Sequence, residues 1–154
     1  ATIQNAVSIR SDMFYQCKRL KSVIILGEVT SIGRQAFYEC YSLRSVTLPN
    51  SVTVIDEYAF SDCYELESIT FPDSLTIICK CAFCLCNGLQ SITLPSSLIT
   101  IEEQAFQVCN RLESVTLPDS LVYIFHSAFA ACRALKSIKI PKNVESLGNE
   151  IFYN

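Results

Sequence analysis

The sequence is short of residue types on which several common functions depend. Its 154 residues include only four glycines and one histidine, and its formal net charge is −3. A phosphate-cradling loop needs clustered glycines, and a nucleophilic cysteine needs a histidine base with an orienting group. The missing basic excess disfavours a nucleic-acid partner. We therefore expect a protein that is not an enzyme and that carries no cofactor.

Long apolar runs are also missing. No run of about 18 apolar residues occurs, so no membrane span is expected. The first residues, Ala1 to Asn5, lack the charged and apolar regions of a signal peptide. The missing signal peptide is weak evidence about the location of the protein, because the chain starts and stops inside a repeat and so resembles a fragment of a longer protein.

One phrase recurs every 23 residues. Repeats of this length indicate a solenoid, in which each unit buries its apolar face against its neighbours. Residues 1–154 are thus predicted to form one solenoid of about six repeats plus partial terminal rungs, as a fragment of a longer array. Phenylalanine marks each repeat, a cysteine follows three residues later in the first six, and a leucine follows six residues later: Phe14, Phe37, Phe60, Phe83, Phe106, Phe129 and Phe152; Cys17, Cys40, Cys63, Cys86, Cys109 and Cys132; Leu20, Leu43, Leu66, Leu89, Leu112 and Leu135.

The unit from Leu43 to Leu66 shows the expected local structure. Val46 and Leu48 alternate with polar neighbours, which indicates a strand, and Pro49 ends it. Apolar residues from Ile55 to Leu66 are spaced by four, one, three and three, which is typical of a helical stripe. The prediction is an α/β solenoid with a parallel β-sheet on one face and short helices or 3₁₀ turns on the other.

The repeat resembles a known family. Its pattern, Leu-x-x-Val-x-Leu-Pro-x-Ser-Val-x-x-Ile-x-x-x-Ala-Phe-x-x-Cys, is similar to that of the BspA-type leucine-rich repeat family from about Asn5 to Phe152. The resemblance implies a leucine-rich repeat coil. It also implies a cell-surface or secreted protein that binds host-cell or matrix proteins. The motif residues themselves are core and turn residues, so they do not indicate which partner is bound.

Four tyrosines form the first candidate binding group: Tyr38, Tyr41, Tyr58 and Tyr64. They fall in two adjacent repeats, at positions predicted to lie on the helix side and in the following turn. Tyrosine is enriched at interfaces because it combines a large apolar body with a polar tip. The alternative is that these rings shield the gaps between neighbouring rungs.

The predicted sheet face supplies the second candidate group. Serine recurs eight residues after each phenylalanine and threonine mostly ten residues after it, which suits either a crowded strand face or a hydroxyl-lined binding surface. The position before the serine varies most and is expected to tune partner choice. In the middle repeats this position holds Arg44, Glu67, Gln90 and Glu113. Ten acidic residues against two basic ones between Val46 and Phe125 serve either solubility or the steering of a basic partner.

The cysteines allow three interpretations. Six of the nine lie in the repeat register and are predicted to be buried free thiols. Cys79, Cys81 and Cys84 break the pattern, and the last two form a C-x-x-C. A zinc site usually draws a second pair from another segment, and none exists. Free thiols are therefore expected, with a local disulfide or a metal site at these three residues as alternatives.

Two functions follow from these observations. The first, which the family resemblance implies, is a non-enzymatic protein-binding repeat module, adhesin-like, on the cell surface or secreted. The second is an intracellular, cytoplasmic interaction scaffold, which an odd number of mostly free cysteines suits better. Exposed strand edges at the end rungs also favour end-to-end self-association.

Overall fold

The computed structural model describes residues 1–153, with Asn5 described by its backbone alone. Asn154, the last residue of the predicted 1–154 solenoid, lies outside the described residues. The chain winds into a stack of similar coils, here called rungs, and every pairing between its strands is parallel. The strands are β1 (Thr2–Ala6), β2 (Ser22–Gly27), β3 (Ser31–Ile32), β4 (Ser45–Thr47), β5 (Val54–Ile55), β6 (Ser68–Thr70), β7 (Ile77–Ile78), β8 (Ser91–Thr93), β9 (Thr100–Ile101), β10 (Ser114–Thr116), β11 (Tyr123–Ile124) and β12 (Ser146–Leu147).

Parallel strands cover two faces of the coil, whereas the sequence analysis expected a sheet on one. The first face, here called the hydroxyl face, holds a four-stranded sheet in the order β1-β2-β4-β6 and a separate pair, β8 and β10. The second face holds a six-stranded sheet in the order β12-β11-β9-β7-β5-β3. Partners such as Ser45 and Ser68 lie 23 residues apart, so each repeat occupies one rung.

The prediction of short helices or 3₁₀ turns is wrong. Residues 1–153 contain no helix of any kind, and hence none that could cross a membrane. The segments around each phenylalanine, here called the phenylalanine turns, instead contain residues with φ between 54° and 63°, in the left-handed region that no α-helix or 3₁₀-helix uses. These residues are Asp12, Gln16, Gln35, Glu39, Tyr58, Asp62, Cys81, Leu85, Gln104, Val108, Ser127, Ala131 and Glu150.

Hydrogen bonding explains why these turns stack on one another and do not form helices. The Tyr38 N–H donates to the Gln35 carbonyl within the turn, at 3.0 Å, whereas the Phe37 N–H donates to the Ala59 carbonyl of the next rung, at 2.8 Å. Backbone donors thus alternate between bonds within a rung and bonds across to its neighbour. Because both kinds of donor are satisfied, the turns need no helical bonding.

The core is a set of ladders that run along the stack. The phenylalanine rings from Phe14 to Phe129 lie 5.0–5.3 Å apart, centroid to centroid, and nearly parallel. Those from Phe37 to Phe129 are at most 1% exposed. This spacing follows the spacing of paired strands, about 4.8 Å, so one ring per rung fills the centre of each coil.

The repeated cysteine donates a hydrogen bond inside the core. From Cys40 onward, each ladder thiol donates to the carbonyl of the phenylalanine 26 residues earlier, as Cys63 does to Phe37 at 3.2 Å and Cys86 to Phe60 at 3.1 Å. Burial raises the pKa of Cys40 to about 12, and it also raises the pKa of Cys63. Cys40 and Cys63 therefore stay protonated, and they behave as small hydrophobes that satisfy a buried carbonyl.

The sheet on the hydroxyl face is interrupted between β6 and β8. No pairing joins these two strands, and a cleft of about 370 Å³ lies between them. Phe71 stands where the other middle repeats have leucine and packs edge-on against Phe83 at 5.6 Å. In the turn before β8, Gly88 lies so close to the preceding rung that an added Cβ would sit 2.6 Å from the Leu66 carbonyl oxygen.

A second set of serines fastens the rungs together at the turn after each proline. The Ser74 hydroxyl donates to the Val52 carbonyl at 2.6 Å, and Ser97 donates to Leu75 at 2.6 Å. We expect Ser74→Ala to lower the free energy of unfolding by about 1 kcal/mol, because a carbonyl loses its donor. Urea denaturation followed by circular dichroism measures this change.

The matched control is Ser91→Ala. Ser91 is exposed on the hydroxyl face, and its replacement should change the free energy of unfolding by less than about 0.5 kcal/mol. Equal losses for the two variants would show that the turn serines do not fasten the rungs.

Candidate functional site

The candidate site begins with a column of aromatic rings on the phenylalanine turns. The rings of Tyr15 and Tyr38 are stacked, with centroids 5.4 Å apart and planes 14° apart. Tyr58 meets Tyr38 edge-on at 6.5 Å. Sequence reasoning proposed Tyr38 and Tyr58 but missed Tyr15, although Tyr15 and Tyr38 occupy the same repeat position, one residue after phenylalanine.

A second column stands beside the first. Tyr41 and Tyr64 stack with centroids 5.1 Å apart and planes 13° apart. Each hydroxyl donates to a carboxylate two residues earlier: Tyr41 to Glu39 at 2.6 Å and Tyr64 to Asp62 at 2.8 Å. These hydrogen bonds are the largest cause that raises the pKa of each tyrosine to about 12. Both hydroxyls therefore remain neutral donors at physiological pH.

The two columns form one surface. Burial raises the pKa of Tyr38, and the negative charges of Asp62 and Glu39 raise it further. The two carboxylates that hold the second column are thus close enough to act on the first. We call Tyr15, Tyr38, Tyr41, Tyr58 and Tyr64, with Glu39 and Asp62, the tyrosine surface.

One contact within the chain places a cation on this surface. The Lys18 ammonium lies 5.1 Å from the centroid of the Tyr41 ring and 4.0 Å from the Glu39 carboxylate. A cation is stabilised by the face of an aromatic ring and by a nearby carboxylate. Tyr64 and Asp62 repeat the same combination one rung later, and Tyr64 is 40% exposed.

The remaining proposed binding residues lie elsewhere. Arg44, Glu67, Gln90 and Glu113 each directly precede a strand of the hydroxyl face, and all four are exposed. The structure places them as a column along that face and not within the tyrosine surface. Arg44 is engaged, because its Nε lies 3.0 Å from the Glu65 carboxylate.

The three cysteines outside the ladder do not gather into a metal site. Across residues 1–153, no group of three or more histidine, cysteine, aspartate or glutamate side chains is arranged to hold a metal ion. Burial, followed by the charges of Glu102 and Asp56, raises the pKa of Cys79 to about 12. All nine cysteines are free thiols in this structure.

Comparison with known proteins identifies the family. The family model of the BspA type leucine-rich repeat region matches six copies, over residues 7–86 and 53–154. The chain belongs to the BspA-type leucine-rich repeat family. The resemblance noted in the sequence is thereby confirmed, and the corrected architecture for this BspA-type chain is a parallel β-solenoid. No curated protein sequence matches it significantly.

Solved structures of bacterial leucine-rich repeat proteins superpose on this BspA-type chain. One from Bacteroides ovatus is 33% identical, with a TM-score of 0.91 over 99% of this chain and 43% of its own. A leucine-rich cell surface protein from Faecalibacterium prausnitzii is 35% identical, with a TM-score of 0.88 over 98% of this chain and 44% of its own. The pneumococcal vaccine antigen PcpA is 27% identical, with a TM-score of 0.77 over 99% of this chain and 42% of its own. This chain thus spans less than half the length of each of these relatives.

The comparisons also place the BspA-type chain in a functional class. Repeats of this kind build an extended surface from neighbouring units, which suits protein interaction. The chain is accordingly a bacterial-type leucine-rich repeat module, from a family whose repeats are generally not catalytic.

Proposed function

We propose that this module binds a protein partner through the tyrosine surface, as part of an adhesin-like surface or secreted protein that contacts host or matrix proteins. The observation that carries the proposal is the position of Lys18 over Tyr41 and beside Glu39. A lysine or arginine of a partner would find the same ring and carboxylate at Tyr64 and Asp62. Stacked tyrosines also have little side-chain entropy to lose on binding, and tyrosine is enriched at interface hot spots.

Charge supports a partner with a basic contact region. Several acids of the middle rungs are paired with a cation of a neighbouring rung, as Glu65 is with Arg44 and Glu103 with Lys80. Asp62 accepts hydrogen bonds from Tyr64 and Ser61, and has no lysine or arginine within salt-bridge distance among the ion pairs of residues 1–153. Its charge therefore remains to attract a cationic side chain.

The location rests on the relatives. The F. prausnitzii protein is described as a cell surface protein and PcpA as a vaccine antigen. Both are more than twice as long as this chain, which also supports the proposal that the repeat array is part of a longer protein. The surface or secreted role and the host contact are carried over to this chain as proposals.

The test compares two tyrosines that are exposed to the same extent. Tyr64 is 40% exposed and belongs to the tyrosine surface, whereas Tyr123 is 39% exposed and lies in β11 on the second sheet. Binding to immobilised, purified host matrix proteins is measured by biolayer interferometry. We expect Tyr64→Ala to weaken binding at least about tenfold, since a hot-spot tyrosine contributes about 2 kcal/mol or more. Tyr123→Ala should bind like the wild type.

Salt dependence provides a second readout of the same complex. Because the partner contact is proposed to be basic, raising the salt concentration from about 0.05 to 0.5 M should weaken wild-type binding. Asp62→Asn should lose most of that salt dependence. Binding that is equally affected by Tyr64→Ala and Tyr123→Ala, or that is insensitive to salt, would contradict the proposed surface.

An intracellular scaffold is the second candidate, and one observation favours it. All nine cysteines are free, and free cysteines are commoner in reducing compartments than in secreted domains. Labelling intact producing cells with a membrane-impermeant amine reagent separates the two candidates. Labelled protein supports the surface role, and protein that is labelled only after lysis supports the scaffold.

Self-association through the end rungs is a further proposal for this chain. Val7 is 82% exposed at one end, and Tyr153 is 69% exposed at the other. Apolar side chains at open rungs favour stacking on another copy. Light scattering after gel filtration should show a mass that rises with concentration, and a constant monomer mass would contradict it.

A further inference from the structure

The C-x-x-C of the rung marked by Phe83 lies in a tight turn on the outside of the coil. The Cys84 N–H donates to the Cys81 carbonyl at 3.1 Å, which closes a four-residue turn. Such a turn holds its end Cα atoms within about 7 Å. Disulfides form at Cα separations of about 4.4–6.8 Å, so the backbone already holds these two residues near bonding distance.

The side chains of this pair have polar neighbours. The Cys81 sulfur lies 3.6 Å from the side-chain oxygen of Gln104, and the Cys84 sulfur lies 3.9 Å from that of Gln107. Hydrogen bonds from Cys84 and then from Tyr58, helped by the charge of Lys80, lower the pKa of Cys81 to about 7, against burial and the charge of Glu103. The same coupling to Cys81 raises the pKa of Cys84. One sulfur is thus prepared as a thiolate and the other keeps its proton.

This environment differs from that of the ladder cysteines. Ladder thiols such as Cys63 and Cys86 are completely buried and donate to main-chain carbonyls in the core. Cys81 is 5% exposed, and Cys84 is half-buried on the outer side of the turn. Neither cysteine belongs to the hydrophobic core cluster that holds the buried ladder thiols, so we expect a small oxidant to reach the pair from the partly exposed Cys84.

We propose that Cys81 and Cys84 form a redox-active dithiol, which a peroxide oxidises to an intramolecular disulfide while the buried ladder cysteines stay reduced. The Cys81 thiolate attacks one peroxide oxygen, so that an S–O bond forms, the O–O bond breaks and hydroxide leaves. The Cys84 sulfur then attacks the Cys81 sulfenic acid. The S–S bond forms, the S–O bond breaks, and the hydroxyl leaves with the Cys84 proton as water. The two sulfurs are oxidised and the peroxide is reduced.

The experiment treats the folded protein with hydrogen peroxide, blocks remaining thiols with a maleimide and maps the cysteines by mass spectrometry. Cys17, the exposed ladder member, is replaced by serine in every sample to prevent disulfides between molecules. We expect a Cys81–Cys84 disulfide, formed at least about tenfold faster than any oxidation of Cys79, whose thiolate fraction is far lower. Adding a dithiol reductant should reverse it.

Two variants separate the steps. Cys84→Ser removes the resolving thiol, so dimedone should trap a sulfenic acid at Cys81. Cys81→Ser should show neither the disulfide nor an adduct at Cys84, and the Cys79→Ser control should still form the disulfide. A Cys81 that stays reduced until the protein unfolds, or that pairs with Cys79 or Cys86, would overturn the inference. None of these readouts depends on a binding partner. A failure of the dithiol to oxidise can therefore be distinguished from a failure of the protein to bind a partner.

Discussion

Phe83→Ala is expected to lower the free energy of unfolding by about 3–5 kcal/mol, the usual cost of truncating a buried phenylalanine. The Phe83 ring is fully buried and stacks on Phe60 and Phe106, at 5.2 Å on each side. Phe71 packs edge-on against it at 5.6 Å. Removal of the Phe83 ring would leave a cavity shared by three rungs. Stacked rungs cannot collapse into that cavity without breaking their hydrogen bonds to one another.

The measurement is guanidinium denaturation followed by circular dichroism, with Phe125→Ala as the matched control. Phe125 is 46% exposed, so its truncation should cost less than about 1 kcal/mol. Because rungs contact only their neighbours, a cavity in the central rung should also make unfolding less cooperative and broaden the transition. A loss of less than about 1.5 kcal/mol for Phe83→Ala would show that the ring stack does not hold the rungs together.

Gly88→Ala is expected to lower the free energy of unfolding by about 1–3 kcal/mol, the typical cost of overpacking. The sign of the change in the free energy of unfolding is informative, because two effects oppose each other. Alanine restricts the unfolded chain and by itself would stabilise the protein by about 0.4–1 kcal/mol. The added Cβ, however, would lie 2.6 Å from the Leu66 carbonyl oxygen. Backbone cannot yield as a flexible side chain can, so the clash should outweigh the gain.

The corresponding residue two rungs earlier provides the control. Ser42 occupies the same repeat position and already carries a Cβ, so Ser42→Ala should change stability by less than about 0.5 kcal/mol. Thermal and urea denaturation of both variants measure the difference. Stabilisation by Gly88→Ala would contradict the close approach of Gly88 to the Leu66 backbone.

The repeat register made most of the fold predictable. Phenylalanine, cysteine and leucine recur without a slip in register, and the structure buries Phe60, Cys63 and Leu66 completely. The alternation around Val46 also correctly predicted the strand β4, which ends just before Leu48 and Pro49. Residues that repeat at a fixed period must take equivalent places in a stack, so their burial follows from the sequence alone.

The helices could not be excluded in the same way. The apolar spacing around Phe60 suits a helix, but a chain with Tyr58 and Asp62 at φ near +60° cannot wind as one. Left-handed positions are usually marked by glycine or asparagine, and here they hold residues such as tyrosine, leucine and valine. Hydrogen bonds between rungs fix the turn, and these are invisible in a pattern read within one repeat.

The candidate site was predictable only in part. Composition pointed to Tyr38, Tyr41, Tyr58 and Tyr64, but the stacking of Tyr15 on Tyr38 depends on the spacing between rungs. The contact of Lys18 with Tyr41 likewise joins residues 23 apart. The break in strand pairing between β6 and β8 also departs from the regular repeat, which gives no reason to expect it.

The most direct test of the central claim is hydroxyl-radical footprinting of the protein with and without a bound matrix protein. The tyrosine surface predicts that partner binding reduces the labelling of Tyr15, Tyr38 and Tyr64, while Tyr123 and Phe125 are labelled as in the free protein. Protection of Tyr123 and Phe125, with Tyr38 and Tyr64 labelled as before, would contradict the claim and place the contact on the second sheet.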